Sequence, residues 1–198
     1  MSFLKNNCRL YAVKDPLDLV DFSCGDADLD EFFANDSFAY ANQLLGKTYC
    51  YKLKERLDKV VCAFTLANAG IRVSDLPNAR KKKIEADIPH SKTLKDYPAV
   101  LIVRLGVSSD FKSQNIGSEA LKYIKLWFLE PYNKTGCRFV IVDAYNAPST
   151  LSFYQKNGFK QVFSTEQQEM DYRKIRSIED LKTRLMFFDL LWMVRGGV

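Results

Sequence analysis

A polar turn between an apolar run and a helical pattern contains the residues best suited to chemistry. The apolar run from Val100 to Val107 stops at a turn that ends in Asn115-Ile-Gly117-Ser118, and a helical pattern follows at once. The first N–H groups of a helix lack intrahelical partners, and the helix dipole favours negative charge there. We expect Asn115 and Gly117 to adopt positive φ and to turn the loop amides inward. The segment predicts a phosphate site, or alternatively an ordinary strand-to-helix connection.

The other apolar patterns predict the elements that must position this turn. Alternating or continuous apolar runs predict strands at 8–13, 48–53, 60–69, 100–107, 138–144, 159–163 and 185–194. Helical patterns cover a region capped by Asp26 or Asp28, residues 118–128, a segment from Pro148 to Asn157-Gly158, and a possible short helix at 177–184.

This order of elements predicts a mixed α/β fold, α+β in character. A mostly antiparallel twisted sheet would carry helices on both faces. The length of 198 residues suits one domain, so we expect residues 1–198 to form a single domain. Two parts differ from the rest: a long loop excursion at 71–98, and a C-terminal segment at 164–198 that contains the final strand.

Composition and charge narrow the class of protein. Hydrophobic residues make up 47% and charged residues 27%, which permits a packed core, and the net charge of +5 suits an anionic cofactor, an RNA or neither. Five cysteines without C-x-x-C spacing and one histidine, His90, argue against a zinc site, so we expect no metal and mostly buried, reduced thiols. Without a signal-peptide pattern or an apolar stretch of about 18 residues, we expect a cytoplasmic protein that does not span a membrane.

Two motifs in this order resemble the Gcn5-related N-acetyltransferase (GNAT) superfamily. The first, Phe111-Lys-Ser-Gln-Asn-Ile-Gly-Ser118, is similar to the family's pyrophosphate loop, Gln/Arg-x-x-Gly-x-Gly/Ala. Lys112 stands where Gln or Arg is usual, Asn115 where the first Gly is usual, and Gly117 matches outright. The second motif matches the family's Ala-x-Asn…Phe-Tyr-x-x-x-Gly-Phe pattern at Ala144, Asn146, Phe153, Tyr154, Gly158 and Phe159.

Short segments outside these motifs resemble one branch of the superfamily. They are Phe22-Ser-Cys-Gly25, Leu29-Asp-Glu-Phe-Phe33, Thr48-Tyr49, and Tyr97-Pro98 leading into Arg104-Leu105. That branch contains the acetyltransferase toxins of toxin–antitoxin pairs, which acetylate aminoacyl-tRNA. The basic run from Arg80 to Lys83 could then grip a tRNA backbone, or it could be a solvated loop.

The resemblance implies acetyl-CoA as cofactor, with CoA as product. It implies that backbone amides of the loop face the pyrophosphate, and that a backbone N–H of the central strand, assigned here to Val107, polarises the thioester carbonyl. Gly106 would let the pantetheine arm approach, or would mark a bulge in the strand. The implied cofactor-binding residues are Leu105, Gly106, Val107, Lys112, Ser113, Gln114, Asn115, Ile116, Gly117, Ser118, Asn146 and Ser149.

Three side chains have competing interpretations. Tyr154 is the implied general acid for the departing thiolate, since a phenol stays protonated at neutral pH, but it could equally be a core aromatic. Asn146 could bind the pantetheine amide, as the resemblance implies, or cap the next helix. Arg104 could face an anionic substrate or form an ion pair, and no carboxylate can be assigned as general base.

Three functions follow. The first is an N-acetyltransferase that moves an acetyl group from acetyl-CoA to a primary amine of an unidentified acceptor. The second is a toxin-type enzyme that acts on the amino group of aminoacyl-tRNA. The third is a degenerate, non-catalytic GNAT-fold binding module, which the substitutions at Lys112 and Asn115 favour and which Tyr154 and Asn146 oppose. A homodimer is possible, because the apolar final strand could lie at a sheet edge or a dimer interface.

Overall fold

The computed structural model describes residues 2–86, 88–89, 94–176 and 180–196. Its strands are β1 (Cys8–Ala12), β2 (Lys47–Leu53), β3 (Val60–Arg72), β4 (Asp96–Val107), β5 (Phe139–Tyr145), β6 (Lys160–Gln161) and β7 (Thr183–Asp189). In the described residues they form one sheet in the order β1-β2-β3-β4-β5-β7-β6, and the β1–β2, β2–β3, β5–β7 and β6–β7 pairs are antiparallel. The predicted mixed, mostly antiparallel fold is confirmed.

Helices connect these strands. The α-helices are α1 (Phe3–Asn7), α2 (Ala27–Glu31), α3 (Ser37–Asn42), α4 (Asn78–Glu85), α5 (Ile116–Leu129), α6 (Pro148–Lys156), α7 (Glu166–Arg173) and α8 (Leu191–Arg195). Short 3₁₀ helices occupy Pro16–Leu19 and Ser109–Phe111, and a π-helical segment, Phe32–Asp36, lies between α2 and α3. Asp26 caps α2 with its carboxylate, as predicted, by accepting from the N–H of Leu29 at 3.1 Å.

The chain forms two compact units, which we describe separately. Unit 1 comprises Met1–Asn68 and Ile102–Pro131. Its core packs the aromatic side chains around α2 against its strands, and the buried residues are Leu19, Phe22, Cys24, Phe32, Phe33, Cys50, Val60 and Ala63. On the β2–β3 hairpin the hydroxyls of Thr48 and Thr65 lie 2.8 Å apart as a buried cross-strand pair.

Unit 2 comprises Ala69–Leu101 and Tyr132–Val198. In it β5 pairs with β7 along the whole of both strands, from Phe139 opposite Asp189 to Tyr145 opposite Thr183. The core residues of this unit are Ile71, Val73, Leu76, Ile84, Tyr97, Ala99, Phe139, Ile141, Val162, Phe163 and Phe187. Four consecutive buried residues, Phe139 to Val142, explain why the sequence of β5 is a continuous apolar run rather than an alternating one.

The C-terminal predictions need correction. The final strand was expected over 185–194, but β7 ends at Asp189 and α8 begins at Leu191. Strand β7 lies between β5 and the two-residue strand β6, so it is not the last strand of the sheet. The helix expected at 177–184 is also wrong in its described part, because Thr183 and Arg184 belong to β7; residues 177–179 lie outside the described residues.

Other predictions hold with changed bounds. The long excursion at 71–98 contains a short helix, α4, but its two ends are already parts of β3 and β4. The strand expected at 159–163 is reduced to Lys160–Gln161. All five cysteines are free thiols, and four of them are buried, as expected for a reduced protein. None of the helices in the described residues is both long and apolar enough to span a membrane.

Candidate functional site

The end of β4 is shaped by a glycine. A Cβ placed on Gly106 would lie 3.1 Å from the ring of Phe33 and 3.2 Å from the ring of Phe22. Any larger residue would therefore push against the aromatic core of unit 1. A glycine is therefore needed at 106 for packing against Phe22 and Phe33, a role that the sequence analysis did not predict. The pairing with β3 continues to the strand end, where the N–H of Ser108 donates to the carbonyl oxygen of Val61 at 2.9 Å.

The loop between β4 and α5 has the left-handed backbone that the sequence predicted, but at a different pair of residues. Ser113 has φ 63° and Asn115 has φ 62°, and both are exposed. Gly117 was expected to share this conformation, and that expectation is wrong, since Gly117 already lies inside α5 and is absent from the left-handed residues. The helix begins two residues earlier than expected, at the buried Ile116, so the backbone of Gly117 is helical.

The amides of this loop have no protein acceptor. Within the described part of the chain, no acceptor bonds the backbone N–H of Ser113, Gln114, Asn115, Ile116 or Gly117. The first intrahelical bond of α5 is donated by Glu119 to the carbonyl oxygen of Asn115, at 3.1 Å. Five consecutive unpaired donors at the N-terminus of a helix form a concentration of positive electrostatic potential. They can bind an anion.

Glu119, in the first turn of α5, would oppose an anion if its charge were free. Its carboxylate instead accepts three hydrogen bonds from the start of α1: from the hydroxyl of Ser2 at 2.9 Å, the N–H of Phe3 at 2.9 Å and the N–H of Leu4 at 2.8 Å. Burial alone would raise the pKa of Glu119, but these bonds and the nearby N-terminal charge outweigh it, so the pKa is lowered. The ionised carboxylate is thus stabilised by three hydrogen bonds from the start of α1, and it anchors that helix to α5.

Lys112 precedes the loop and carries its ammonium back toward the 23–25 turn. Nζ lies 3.3 Å from the position that a Cβ on Gly25 would occupy, and Gly25 has φ +74°. The side chain is exposed, so a positive charge stays at the edge of the loop where the GNAT pattern has Gln or Arg.

In unit 2 the candidate acid, Tyr154, is buried on α6. It is 7% exposed, and its ring packs against Phe153 and Phe159, with centroids 5.1 and 5.4 Å away. Burial raises the pKa of Tyr154 above that of a free phenol, so its hydroxyl keeps its proton at neutral pH. Pro148 begins the helix and Gly158, at φ +82°, follows its end, as predicted.

Asn146 is held by its own unit. Its side-chain amide donates to the carboxylate of Glu166 at 3.0 Å and to the carbonyl oxygen of Leu181 at 2.8 Å. The alternative that Asn146 caps α6 is wrong, since Ala147 occupies the cap position and no side chain bonds there. Both amide hydrogens are used, so Asn146 can meet a ligand only through its carbonyl oxygen. Ser149, at the start of α6, is exposed.

Sequence reasoning missed α7 and the charged network that it carries. Glu169 is fully buried and accepts from Nε of Arg184 at 2.8 Å, from the N–H of Leu185 at 2.6 Å and from Arg173 at 2.6 Å. Arg173 also pairs with Asp143 on β5. The missed signal is the Ser/Thr-x-x-Gln start of a helix: Thr165 accepts from the N–H of Gln168 at 3.3 Å.

The remaining predicted groups lie apart from these contacts. Lys82 and Lys83 on α4 are exposed, while Lys81 lies 3.9 Å from Glu85. Burial and the nearby charges of Arg80 and Lys160 lower the pKa of Lys83. Within the described ranges no group of three or more His, Cys, Asp or Glu side chains could hold a metal ion.

Solved structures with the same fold come from toxins. A tyrosine-to-phenylalanine mutant of KacT matches with a TM-score of 0.69 at 16% identity, over 96% of this chain and 99% of that chain. AtaT complexed with acetyl-methionyl-tRNAfMet matches with 0.67 at 17% identity, over 97% and 100%. AtaTR bound with acetyl-CoA matches with 0.64 at 19% identity, over 98% and 99%.

These similarities extend over nearly the whole chain, whereas no protein-family model and no curated protein matches the sequence. A further AtaT mutant is described as a toxin bound to the C-terminus of the antitoxin AtaR and acetyl-CoA. The low identities establish the fold alone, and at that level the sequence resemblance is confirmed. The chain has the fold found in the KacT and AtaT structures.

Proposed function

We propose that this protein is an acetyl-CoA-dependent N-acetyltransferase. The observation that carries the proposal is the run of five consecutive amides, Ser113 to Gly117, without protein acceptors at the start of α5. Structures with the same fold include AtaTR bound with acetyl-CoA. An anionic diphosphate fits this loop because it would satisfy donors that the fold leaves open. Each such charge-assisted bond contributes about 1.5–3 kcal/mol.

Acetyl-CoA, when bound, supplies a thioester whose acetyl group passes to an amine and whose thiolate leaves. In the proposed transfer the bond between the acceptor nitrogen and the carbonyl carbon forms as the C–S bond breaks. The proton that the amine loses passes to water, and water returns a proton to the residue that protonates the thiolate. We assign the backbone N–H of Val107 to the developing negative charge on the carbonyl oxygen. A fixed donor of this kind contributes about 2.7–4 kcal/mol to the stability of the transition state.

Tyr154 is the proposed proton donor to the leaving thiolate. Its support is its protonated, buried phenol and its place in the Ala-x-Asn…Phe-Tyr motif. Asn146 is the proposed acceptor for a pantetheine N–H, because only its carbonyl oxygen is left for a ligand. Leu105 and Gly106, with loop residues Lys112 to Ser118 and the exposed Ser149, complete the proposed cofactor contacts.

Two measurements test this function. Calorimetry should detect acetyl-CoA binding at micromolar concentration, and purified protein should release CoA in the presence of a suitable amine. Replacing Tyr154 with Phe should lower turnover about 10- to 100-fold and leave acetyl-CoA affinity unchanged. Absence of binding at high micromolar acetyl-CoA would favour the non-catalytic binding module. Unchanged turnover in the Tyr154→Phe variant would remove Tyr154 from the mechanism.

Aminoacyl-tRNA is the second candidate for the acceptor. A structure of AtaT with acetyl-methionyl-tRNAfMet has the same fold as this chain, and the exposed Lys82 and Lys83 offer charges for an RNA backbone. If this acceptor is correct, expression should arrest growth, and a neighbouring antitoxin gene should restore it. Replacing Lys81, Lys82 and Lys83 with Glu should abolish acetylation of charged tRNA and spare acetyl-CoA binding. Full activity toward charged tRNA in that variant would exclude this patch.

A further inference from the structure

Arg104 on β4 holds a positive charge with few protein contacts. Nη1 donates to the carbonyl oxygen of Val103 at 3.0 Å, and Nη2 lies 3.5 Å from a carboxylate oxygen of Asp28, whose side chain is 63% exposed. Nε is buried without a hydrogen-bond partner among the described residues. A guanidinium presents more N–H donors than these contacts use. The side chain of Arg104 is 34% exposed, so an incoming group can reach it.

Arg138, in unit 2, shows the contrasting case of an arginine with a close and well-buried carboxylate. Its Nη2 donates to one oxygen of Asp189 at 2.8 Å. Its Nε lies 2.8 Å from the other oxygen in an ion pair, although this Nε, like that of Arg104, makes no hydrogen bond among the described residues. The side chains of this pair are only 17% and 8% exposed. Each arginine also lies over a phenylalanine ring. The two therefore differ in the distance and exposure of the carboxylate partner and not in the aromatic contact. The Arg104–Asp28 ion pair is long and exposed to solvent, and such pairs contribute little to the folding stability of a protein.

The guanidinium of Arg104 is nevertheless held in place. Its Cζ lies 5.1 Å from the ring centroid of Phe32, which is only 4% exposed. Phe32 opens the π-helical segment, and such segments occur often at functional sites. The ring also packs edge-on against Phe33 and Tyr40, with centroids 5.6 and 5.5 Å away. The ring of Phe32 thus supports a guanidinium that still has N–H donors without acceptors, and such a group can bind an anion.

The strand places this cation beside the proposed reaction. Side chains alternate along a strand, so Arg104 shares the face of Gly106 that meets Phe33 and Phe22. The N–H of Val107 follows at about 10 Å along the strand. In the proposed function, on which this inference rests, that N–H meets the thioester carbonyl. A group bound at Arg104 would then belong to the same substrate as the reacting amine, several bonds away from it.

We propose that Arg104 is a specificity-determining residue that binds an oxyanion, a carboxylate or a phosphate ester, carried by the acceptor near its amine. The oxyanion takes the place of Asp28 at Nη2 and forms shorter, charge-assisted hydrogen bonds with the guanidinium. Asp28 keeps the site neutral when no acceptor is bound. The acceptor class is therefore an amine that carries a nearby anion, rather than a neutral or polycationic amine.

Nuclear magnetic resonance of the arginine side chains tests this proposal on the full chain. The Nε–H resonances of Arg104 and Arg138 are identified by their loss in Arg104→Lys and Arg138→Lys. Titration with inorganic phosphate or acetate should move the Arg104 resonance with saturation and leave Arg138 unmoved, and the ratio of the two affinities tells phosphate from carboxylate. Asp28→Asn should tighten binding about two- to fivefold, because it removes a competing surface charge.

Three outcomes would overturn the proposal. The first is an Arg104 resonance that neither anion moves. The second is a linear drift equal to that of Arg138, which indicates ionic strength alone. The third is an Asp28→Asn variant whose affinity for the anion is unchanged or lower. The proposed function fails separately: if acetyl-CoA does not bind while Arg104 still responds, the anion site stands and the acetyltransferase assignment does not.

Discussion

Two strand-to-helix junctions of this chain, β4–α5 and β5–α6, differ in how their polar groups are bonded. At the β4–α5 junction of unit 1, the amides from Ser113 to Gly117 have no protein acceptor among the described residues. At the β5–α6 junction of unit 2, the N–H of Asn146 donates to the carbonyl oxygen of Lys182 at 2.9 Å, and its side chain bonds Glu166 and Leu181. The loop amides of the β4–α5 junction therefore remain open to a ligand. Asn146 at the β5–α6 junction is bonded to α7 and to the segment before β7.

The difference shows what each junction can contribute. An open run of amides is available to a ligand, because a buried or bonded donor would have to break a contact first. The bonded amide groups of Asn146 cannot bind a ligand in the same way, but they can hold that side chain in a fixed orientation. We therefore expect binding affinity to respond to changes at the first junction, and stability to respond to changes at the second.

The largest effect is expected at Glu169, which ties α7 to β7 beneath the second junction. Glu169→Ala leaves the buried Arg184 without its carboxylate, so the free energy of unfolding should fall by about 3–5 kcal/mol. Chemical denaturation followed by circular dichroism measures this loss. Glu166→Ala is the matched control, since its carboxylate is only partly buried and should cost less. Equal losses for the two variants would contradict the ranking.

Glu119 tests whether the first junction depends on α1. Glu119→Ala removes the acceptor for Ser2, Phe3 and Leu4, so we expect a loss of about 1.5–3 kcal/mol in unfolding free energy. Because the pKa of Glu119 is lowered on folding, its stabilisation is complete above its ordinary value of 4.5 and is lost as the pH falls through the lowered value. Wild-type protein should lose stability in that acid range, and Glu119→Ala should lose less. Parallel pH curves for both proteins would count against this role.

Variants of Asn115 test whether the first junction determines the affinity for acetyl-CoA. A β-branched residue is strained by about 1–2 kcal/mol at the left-handed φ of 62°, whereas glycine adopts it freely. Asn115→Val should therefore weaken acetyl-CoA binding about 5- to 30-fold, and Asn115→Gly should bind nearly as wild type. Isothermal calorimetry reads both affinities. If both variants bind as tightly as the wild type, the loop does not hold the diphosphate.

The smallest effect is expected at Glu166. Glu166→Gln keeps the shape of the side chain but replaces its charge-assisted bonds to Asn146 and Leu181 with neutral ones, at a cost of about 0.5–1.5 kcal/mol. The bond from Asn146 lowers the pKa of Glu166, so the difference between variant and wild type should vanish as the pH falls below that lowered value. Thermal unfolding across this pH range provides the measurement. A difference that persists in acid would point to packing rather than charge.

The fold was predictable where a local pattern is unambiguous. The continuous apolar run of β5, the amphipathic α5 and the Pro148 and Gly158 boundaries of α6 all follow from side-chain periodicity and backbone preference. The end of β7 did not follow, because Leu185 to Val194 is apolar throughout and the same residues suit a buried strand or a helix. Helix α7 was missed because its residues are mostly polar and charged and its support is a buried ion network.

The sequence by itself predicted a polar turn with a left-handed Asn115 before a helix, because Asn tolerates that backbone and an amphipathic pattern follows. It placed the start of this helix at Ser118, two residues after the observed start at Ile116. Only the tertiary structure decided which polar groups stay open. Hydrogen bonds from α1 hold the carboxylate of Glu119, Glu166 and Leu181 accept from the amide of Asn146, and Arg104 has a long ion pair with Asp28. Such pairings join residues distant in sequence, and they depend on packing that no local pattern encodes.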